Sequence, residues 1–506
     1  MGTAFSSIPD DDESTQPPNS PPWSWGNRPP LSEKESLHVV DWNKPHDPEN
    51  PMHWTAKSRW VQIVLVSALT LQVAIASSMP APAVADTIRD FKAPKGVLSS
   101  LVVSIFNLGI VVGTVLAAPL SELYGRYPVY VLSIFFFLAC NAACAVSPNL
   151  GILLLFRLLS GAAGAAPLAI GGGTIADVAL PAWRGRAVSV YSSALLLGSV
   201  IGPVTGGFLS QYFGWRWIFW SLCIVASVIG IATSFFLRET SAKILLERRA
   251  QKVRKRTGDL GYFSALAAGV SPSKAFSKAI KRPFRLLILN PIVLAFSSYF
   301  AVIYGYLHLT NVHQYLFFTT LPAVFTGKYG FSVSFSGLTF LGVGIGIIVG
   351  VVLDLLWSDR IAASLLLKTG ARRPELRLTA MAYSVPLIPA GLLLYGWTAE
   401  KSVFWLAPMT GSTIFGVGVM LVFTPLTSYF IEVFTIHAAS ALAAATIVSG
   451  IFATFLPLVG SLLYATLGLG WENTVLAALA VVVAPVPWFV MKKGQAMREK
   501  HAYQAF

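Results

Sequence analysis

Apolar residues form twelve long runs along the chain, and short polar segments separate them. Each run is near the roughly 20 residues that a helix needs to cross the hydrocarbon core of a bilayer. The pattern therefore predicts twelve membrane-spanning helices, called spans 1 to 12 below. Their expected positions are 59–79, 99–119, 129–147, 151–176, 187–210, 216–237, 291–322, 337–357, 379–397, 403–427, 438–466 and 472–491.

The runs fall into two groups of six, and a basic, polar segment lies between the groups. This arrangement predicts an all-α integral membrane protein with two six-helix halves. The first tail is rich in Pro and acidic residues, which is typical of disorder. The expected divisions are a disordered tail at 1–57, a first half at 58–237, a linker at 238–290, a second half at 291–491 and a second tail at 492–506.

The distribution of charge supports this interpretation and predicts an orientation. Only 12% of the 506 residues are charged, whereas an average soluble domain has about 25%. The two tails and the alternate loops on their side hold 30 Lys and Arg residues, and the loops on the other side hold six. Since basic loops stay in the cytoplasm, both termini are predicted to be cytoplasmic. The plasma membrane is the expected location, although the charge distribution does not distinguish it from other membranes.

The net charge of +14 lies mostly in the linker and tails, beside the predicted spans. No nucleic-acid reader motif accompanies it, so no nucleic-acid partner is expected. We interpret the charge as cytoplasmic retention and attraction to the anionic lipids of the cytoplasmic leaflet. The basic segment 273–285 is a candidate for a short amphipathic helix on the membrane surface.

The sequence predicts neither a metal or cofactor site nor an enzyme. Cys140, Cys144 and Cys223 have no His or carboxylate near them at metal-ligand spacing. The glycines of GVGIGIIVG at 342–350 lie inside span 8, without the preceding strand and following acid of a dinucleotide fold. The chain has no P-loop, GxSxG or HExxH motif.

Span 5 contains the stretch GSVIGPVTGG, in which Gly198, Gly202 and Gly206 are four residues apart. At this spacing they form one flat face of a helix, which Gly207 widens. Pro203 removes a backbone hydrogen bond and is expected to bend the helix. Small residues let membrane helices approach closely, so we predict tight packing against a neighbouring helix of the same half. Simple Gly-xxx-Gly pairing is the alternative, although the chain is expected to be a monomer.

These glycines resemble the antiporter motif of the major facilitator superfamily, in its twelve-span drug:proton antiporter branch. Two further segments agree in position: APLSELYGRYP at 118–128 is similar to the signature after span 2, and RLLSGAAGAA at 157–166 to a motif of span 4. DWNKPHDPENPMHW at 41–54 and SALAAAT at 440–446 resemble fungal members. The resemblance covers residues 41–500. It implies an alternating-access transporter that exports drug-like or secondary-metabolite molecules in exchange for protons.

The resemblance also implies roles for three residues after span 2. Glu122 would face the N-terminus of another helix as a conformational latch, Gly125 would permit the turn, and Arg126 would complete the motif. A surface ion pair between Glu122 and Arg126, worth about 0–1 kcal/mol, is the alternative. The segment departs from the family's pattern at three positions, Ala118, Leu123 and Tyr127.

Arg157 lies six residues into span 4, where an arginine costs a few kcal/mol. The resemblance implies that it faces the central cavity and modulates the proton affinity of a carboxylate. An arginine that reaches the outer surface is the alternative. Asp354, late in span 8, is the first candidate for that carboxylate and Glu122 the second, and a structural role is the alternative for each.

Polar and aromatic residues of several spans are candidates for the cavity between the halves, although packing is the commoner role for lone aromatics. An aromatic cavity with few acids suits bulky amphipathic molecules better than polyamines. The cavity candidates are Gln72, Asn107, Tyr191, Tyr299 and Tyr304.

In span 7, HLTNVHQ at 308–314 is either a broken helix or an error in the gene prediction.

Two other functions stay open at this stage. The first is uptake of a small organic nutrient or polyamine by the same fold. The second is a membrane receptor or scaffold that transports nothing. The glycine–proline motif favours export over uptake, and Arg157 with the two-half organisation favours a transporter over a scaffold.

Overall fold

The structure is a computed structural model, and almost all of its described backbone is helical. The helices of the first half follow the predicted spans closely, and the predicted span 4 is divided at Ala165 into two helices. The structure describes residues 38–501 except 44–45, 94–96, 181–182, 267–271, 303–339, 370–373, 402 and 435–437. The helices of the first half are α1 (Ala56–Ser78), α2 (Val84–Asp90), α3 (Val97–Tyr124), α4 (Arg126–Ala145), α5 (Leu150–Gly164), α6 (Ala166–Val178), α7 (Arg184–Phe213) and α8 (Arg216–Phe236).

Local sequence explains where these helices begin and end. The side chain of Asn149 accepts a hydrogen bond from the N–H of Ile152 at the start of α5, a standard N-cap. Gly125 has a φ of +103° between α3 and α4, and Gly214 has a φ of +86° between α7 and α8. Such angles favour glycine, so both turns between adjacent spans depend on it.

The linker and the second half contain the remaining helices, and two predicted spans differ from expectation. Span 9 is divided at Pro386, which has no N–H to continue the helix. Spans 11 and 12 lie in one continuous stretch of helix, which is interrupted at Gly468 with a φ of +79°. The helices are α9 (Ala242–Thr257), α10 (Pro272–Leu289), α11 (Pro291–Val302), α12 (Phe340–Thr369), α13 (Leu378–Ser384), α14 (Leu387–Glu400), α15 (Leu406–Phe434), α16 (Ala438–Val483) and α17 (Val486–His501).

Among the described residues, nine helical stretches are long and apolar enough to cross a membrane. A tenth is counted if Ala279–Leu289 and Pro291–Val302, which meet at 92°, form one span. The short apolar helix Leu341–Trp357 matches predicted span 8. Most of predicted span 7, with Tyr304 and the 308–314 segment, lies outside the described residues. Large apolar side chains such as Phe235, 80% exposed, cover the outer surface, as expected of a helix bundle in lipid.

The last part of the predicted disordered tail is folded, which corrects the expectation for residues 38–57. Strand β1 (Val39–Val40) pairs in parallel with β2 (Phe263–Ser264) of the linker. Asp47 is buried and accepts a hydrogen bond of 2.6 Å from Arg249 of α9. Burial alone would raise the pKa of the Asp47 carboxyl. The backbone hydrogen bonds from Asn43 and Glu49 and the contact with Arg249 outweigh burial, so the pKa is lowered to about 2. The segment before span 1 is therefore attached to the linker.

The linker thus marks one end of the molecule, called the linker side below. Within the first half, α1 packs along α7, and α3 along α5. The two halves meet where α3 packs on α16 and where α12 packs on α7. Helix α10 crosses from one half to the other, since it contacts both α3 and α16.

Candidate functional site

A cavity lies between the two halves and encloses about 460 Å³ of empty space, open solvent included. Helices of both halves contribute to its wall, so the wall changes when the halves move relative to each other. Among the described residues its surface is mainly apolar, with four hydroxyl groups. The lining residues are Leu168, Tyr191, Leu195, Phe300, Phe423, Thr427, Leu442, Ala445, Thr446 and Ser449.

Tyr191 is the predicted cavity residue that the structure places in this wall. Its hydroxyl donates a hydrogen bond of 3.0 Å to the carbonyl of Pro167, which fixes the ring against α6. Phe300 lines the cavity next to the predicted Tyr299, which is itself buried. Phe300 and Phe423 meet edge to face with centroids 4.7 Å apart. On a helix that is apolar all round, sequence alone does not show which of two adjacent aromatic residues faces the cavity.

Gln72 and Asn107 lie inside the first half and are not part of this wall. Asn107 accepts a hydrogen bond of 3.0 Å from the hydroxyl of Ser77, which joins span 2 to span 1. The amide nitrogen of Gln72 is buried and has no hydrogen-bond partner among the described residues. Tyr304, the fifth candidate, lies outside the described residues.

Glu122 connects three parts of the chain on the linker side. Its carboxylate accepts hydrogen bonds of 2.8 and 2.7 Å from Arg282 of α10 and one of 3.0 Å from the hydroxyl of Ser440. Ser440 lies in the first turn of the described part of α16, so the acid faces the N-terminus of a helix in the other half. The ion pair is with Arg282 rather than with Arg126.

Asp354 makes a similar connection with the halves exchanged. It is buried near the linker-side end of span 8, and one carboxylate oxygen accepts a hydrogen bond from the hydroxyl of Ser189 in span 5. Glu122 ends the second span of the first half and contacts the fifth span of the second half. Asp354 ends the second span of the second half and contacts the fifth span of the first. Two carboxylate–serine contacts therefore join the halves on one side of the cavity.

Arg126 belongs to a separate network within the first half. Its guanidinium contacts Asp177 at 3.4 Å and donates a hydrogen bond of 2.7 Å to Ser121. Glu239, which sequence reasoning missed, accepts backbone hydrogen bonds from Arg126 and Tyr127 at 2.9 and 3.2 Å. An acid at this position satisfies the free N–H groups at the start of α4. Glu239 belongs to the FLRET segment directly after span 6. Its Glu–Thr pair was the sequence feature that could have indicated this site.

Gly125 is held between these groups. A Cβ at Gly125 would meet the carboxylate of Glu239, and its φ is unfavourable for other residues. The glycine therefore allows both the turn and the approach of the acid.

Arg157 is completely buried within the first half and does not reach the outer surface. Its three nitrogens donate to the carbonyls of Val102, Ala76 and Ser77 at 3.2, 2.9 and 3.4 Å. The guanidinium also lies 4.6 Å from the ring centroid of Phe106. Among the described residues, no hydrogen bond or ion pair connects it to a carboxylate, so the implied pairing with Asp354 is not seen.

The glycine face of span 5 packs against span 1. An added Cβ at Gly198 would lie 2.6 Å from the carbonyl oxygen of Leu71, and one at Gly202 would lie 2.8 Å from that of Ile75. At Gly206 it would overlap with the carbonyl oxygen of Met79. Gly207 does not extend this face, because its nearest neighbour would be Pro82 at 3.9 Å. Pro203 lies inside α7, which continues through it.

The Glu122 contact predicts a measurable shift in opening. Glu122→Gln removes the charge that attracts Arg282, and charge-assisted hydrogen bonds contribute about 1.5–3 kcal/mol. We expect the linker side to open at least about tenfold more often. The measurement is the labelling rate of Ala445→Cys, in a background with the three native cysteines replaced by serine, by an impermeant maleimide applied to the linker side. Glu247→Gln, in α9, is the matched control, and equal rates in both variants would contradict the latch.

Within the described part of the chain, no group of three His, Cys, Asp or Glu residues is arranged to hold a metal ion. The three cysteines are unpaired thiols. In the part of the chain that the structure describes, the geometry is that of a helical membrane protein with a cavity wall built from both halves.

Comparison with known proteins agrees with this class. The sequence model of the Major Facilitator Superfamily matches residues 66–451. The chain belongs to this superfamily, whose members are transporters rather than enzymes.

Fungal transporters are similar to nearly the whole chain. The efflux pump radE of Floropilus chiversii is 40% identical over 477 residues, which cover 94% of this chain and 87% of radE. The MFS-type transporter tndD of Aspergillus flavipes is 41% identical over 467 residues, 91% of this chain and 86% of tndD. Among solved structures, the proton:xylose symporter XylE matches with a TM-score of 0.63 at 15% identity, over 87% of this chain and 97% of XylE. That likeness supports the fold alone.

Proposed function

We propose that this transporter exports small drug-like or secondary-metabolite molecules in exchange for protons, by alternating access. The observation that carries the proposal is the cavity between the halves together with the two carboxylate–serine contacts on one side of it. A membrane protein with a site between two halves can expose that site to either side when the halves rock.

The carboxylates couple this movement to protons in the proposed mechanism. Asp354 and Glu122, when ionised, accept hydrogen bonds from the opposite half, and Glu122 also attracts Arg282. Protonation removes the negative charge and weakens each charge-assisted contact. Proton binding therefore favours the state in which the linker side is open, and proton release favours the closed state.

The linker side faces the cytoplasm in this proposal, because it carries the basic linker and the excess of Lys and Arg. Helix α10 meets α11 at 92°, so it runs along the membrane surface if α11 crosses it. Its Lys281 and Arg285 are exposed beside the exposed Phe284 and Ile288. Basic and apolar groups on one interfacial helix favour anionic lipid. We place the protein in the plasma membrane as a monomer.

The direction of transport rests on the relatives. The name of radE describes an efflux pump, and radE is similar to 94% of this chain. Export also agrees with an apolar cavity, which suits molecules that enter from the cytoplasm or the inner leaflet.

The test is export from cells that lack their own pumps. The cells are loaded with a panel of fluorescent amphipathic cations and neutral toxins, and efflux is followed with and without a protonophore. We expect protein-dependent efflux that the protonophore stops. Asp354→Asn should reduce this efflux at least about tenfold, equivalent to about 1.4 kcal/mol, because an amide cannot take up and release the proton.

The matched control is Asp259→Asn, an exposed aspartate of the linker, which should leave efflux unchanged. Efflux that persists with the protonophore would exclude proton antiport. Proton-dependent accumulation inside the cells would identify an uptake carrier instead, and binding without movement in vesicles would identify a receptor.

A further inference from the structure

The four hydroxyl groups in the cavity wall share one property: each donates its hydrogen to a backbone carbonyl of the protein. In each case the acceptor carbonyl belongs to a helix of the cavity wall. The donors and distances are Tyr191 to Pro167 at 3.0 Å, Thr427 to Phe423 at 2.9 Å, Thr446 to Leu442 at 2.9 Å and Ser449 to Thr446 at 3.2 Å.

This arrangement determines what the hydroxyls offer to a bound molecule. A hydroxyl has one hydrogen and two lone pairs. Since the hydrogen is already used, the groups present acceptors to the cavity and no donor. Turning a hydrogen toward a ligand would break an existing hydrogen bond, which is unfavourable.

Among the residues that the structure describes, the rest of the wall offers neither charge nor further polarity. The other six lining residues are Leu168, Leu195, Phe300, Phe423, Leu442 and Ala445. No carboxylate, lysine, arginine or histidine is among the ten. A charged molecule would lose its hydration in this cavity without gaining a partner, which is unfavourable.

We propose that the cavity selects uncharged, mainly apolar molecules that carry hydrogen-bond donors, such as phenols and alcohols, and discriminates against their ethers and against ions. The proposal rests on the proposed function, because it takes this cavity as the place where the transported molecule binds. It goes further by stating which chemical class the cavity accepts.

Direct binding to the purified protein in lipid nanodiscs tests the proposal. The probes are hexestrol, a neutral diphenol, its dimethyl ether, which lacks the two donors, and the tetraphenylphosphonium cation. We expect hexestrol to bind at least about tenfold more tightly than the ether, as two hydrogen bonds of average strength would give. The cation should bind more weakly than hexestrol.

Variants of the wall connect this preference to the hydroxyls. Thr446→Val keeps the shape of the side chain and removes the acceptor. It should weaken hexestrol binding by about threefold to tenfold and leave binding of the ether unchanged. Thr454→Val is the matched control on the same helix. Its hydroxyl donates to the carbonyl of Gly450 at 2.7 Å, and it does not line the cavity.

Several results would overturn the proposal: tighter binding of the ether or the cation than of hexestrol, an equal effect of Thr446→Val on both neutral probes, or no hexestrol binding up to about 1 mM. The assay uses no proton gradient, so its outcome is independent of export. Selective binding without export would contradict the proposed function and leave this inference standing.

Discussion

Replacing Gly206 with alanine is expected to abolish export and to lower strongly the yield of folded protein. The Cβ of the alanine would overlap with the carbonyl oxygen of Met79 in span 1. Both sides of this contact are backbone, so no side chain can move away. Overpacking a tight contact costs about 1–3 kcal/mol or more. We expect the destabilisation by Gly206→Ala to lie at the upper end of this range, because α7 and α1 must separate along their length.

The adjacent glycine provides the control. Gly207→Ala places its Cβ 3.9 Å from Pro82, an ordinary contact, so it should leave folding and export within experimental error of the unmodified protein. Thermal unfolding of the purified variants, followed beside efflux, measures both effects. Similar melting temperatures for the two variants would show that the close packing of spans 1 and 5 is not required.

This pair also shows what the sequence could reveal about span 5. The four-residue spacing identified the close face, since residues i and i+4 share one side of a helix. It did not identify the partner helix, because many apolar helices are equally suitable neighbours. Gly207 was assigned to the face by proximity in sequence, and the structure shows that it points away from the tight contact.

The cavity was harder to predict than the fold. Twelve apolar runs and the basic linker were enough to predict the helices and the two halves. Helices buried on most sides carry apolar residues all round, so the sequence does not reveal which residues face the centre. Tyr191 lines the cavity as the sequence suggests, whereas Thr446 and Ser449 were not considered, because a hydroxyl bonded to its own helix looks like any other packing residue.

Contacts distant in sequence account for the remaining differences. Residues 38–57 have the composition of a disordered tail, but Asp47 finds its partner Arg249 about two hundred residues later. Glu122 likewise pairs with Arg282 of the linker instead of the nearby Arg126. Local sequence contains no information about such partners.

Arg157→Met is expected to unfold or strongly destabilise the protein at every pH. Helix α1 ends at Ser78, so the carbonyls of Ala76 and Ser77 have no partner within the helix, and Arg157 supplies it. The positive charge also lies at the negative end of that helix. Removing it leaves buried carbonyls unsatisfied, at a cost of about 1–3 kcal/mol for each group.

The measurement separates this capping role from the proton-coupling role that the family resemblance implies. A cap predicts a lower melting temperature for Arg157→Met, partial recovery in Arg157→Lys, and an unchanged pH dependence of whatever export remains. Arg216→Met is the control, because Arg216 is 43% exposed and its pair with Asp90 contributes little. A variant that keeps its melting temperature and shifts the pH dependence of export would show instead that Arg157 acts on a carboxylate. In the structure its hydrogen bonds go to backbone carbonyls, so we expect the first result.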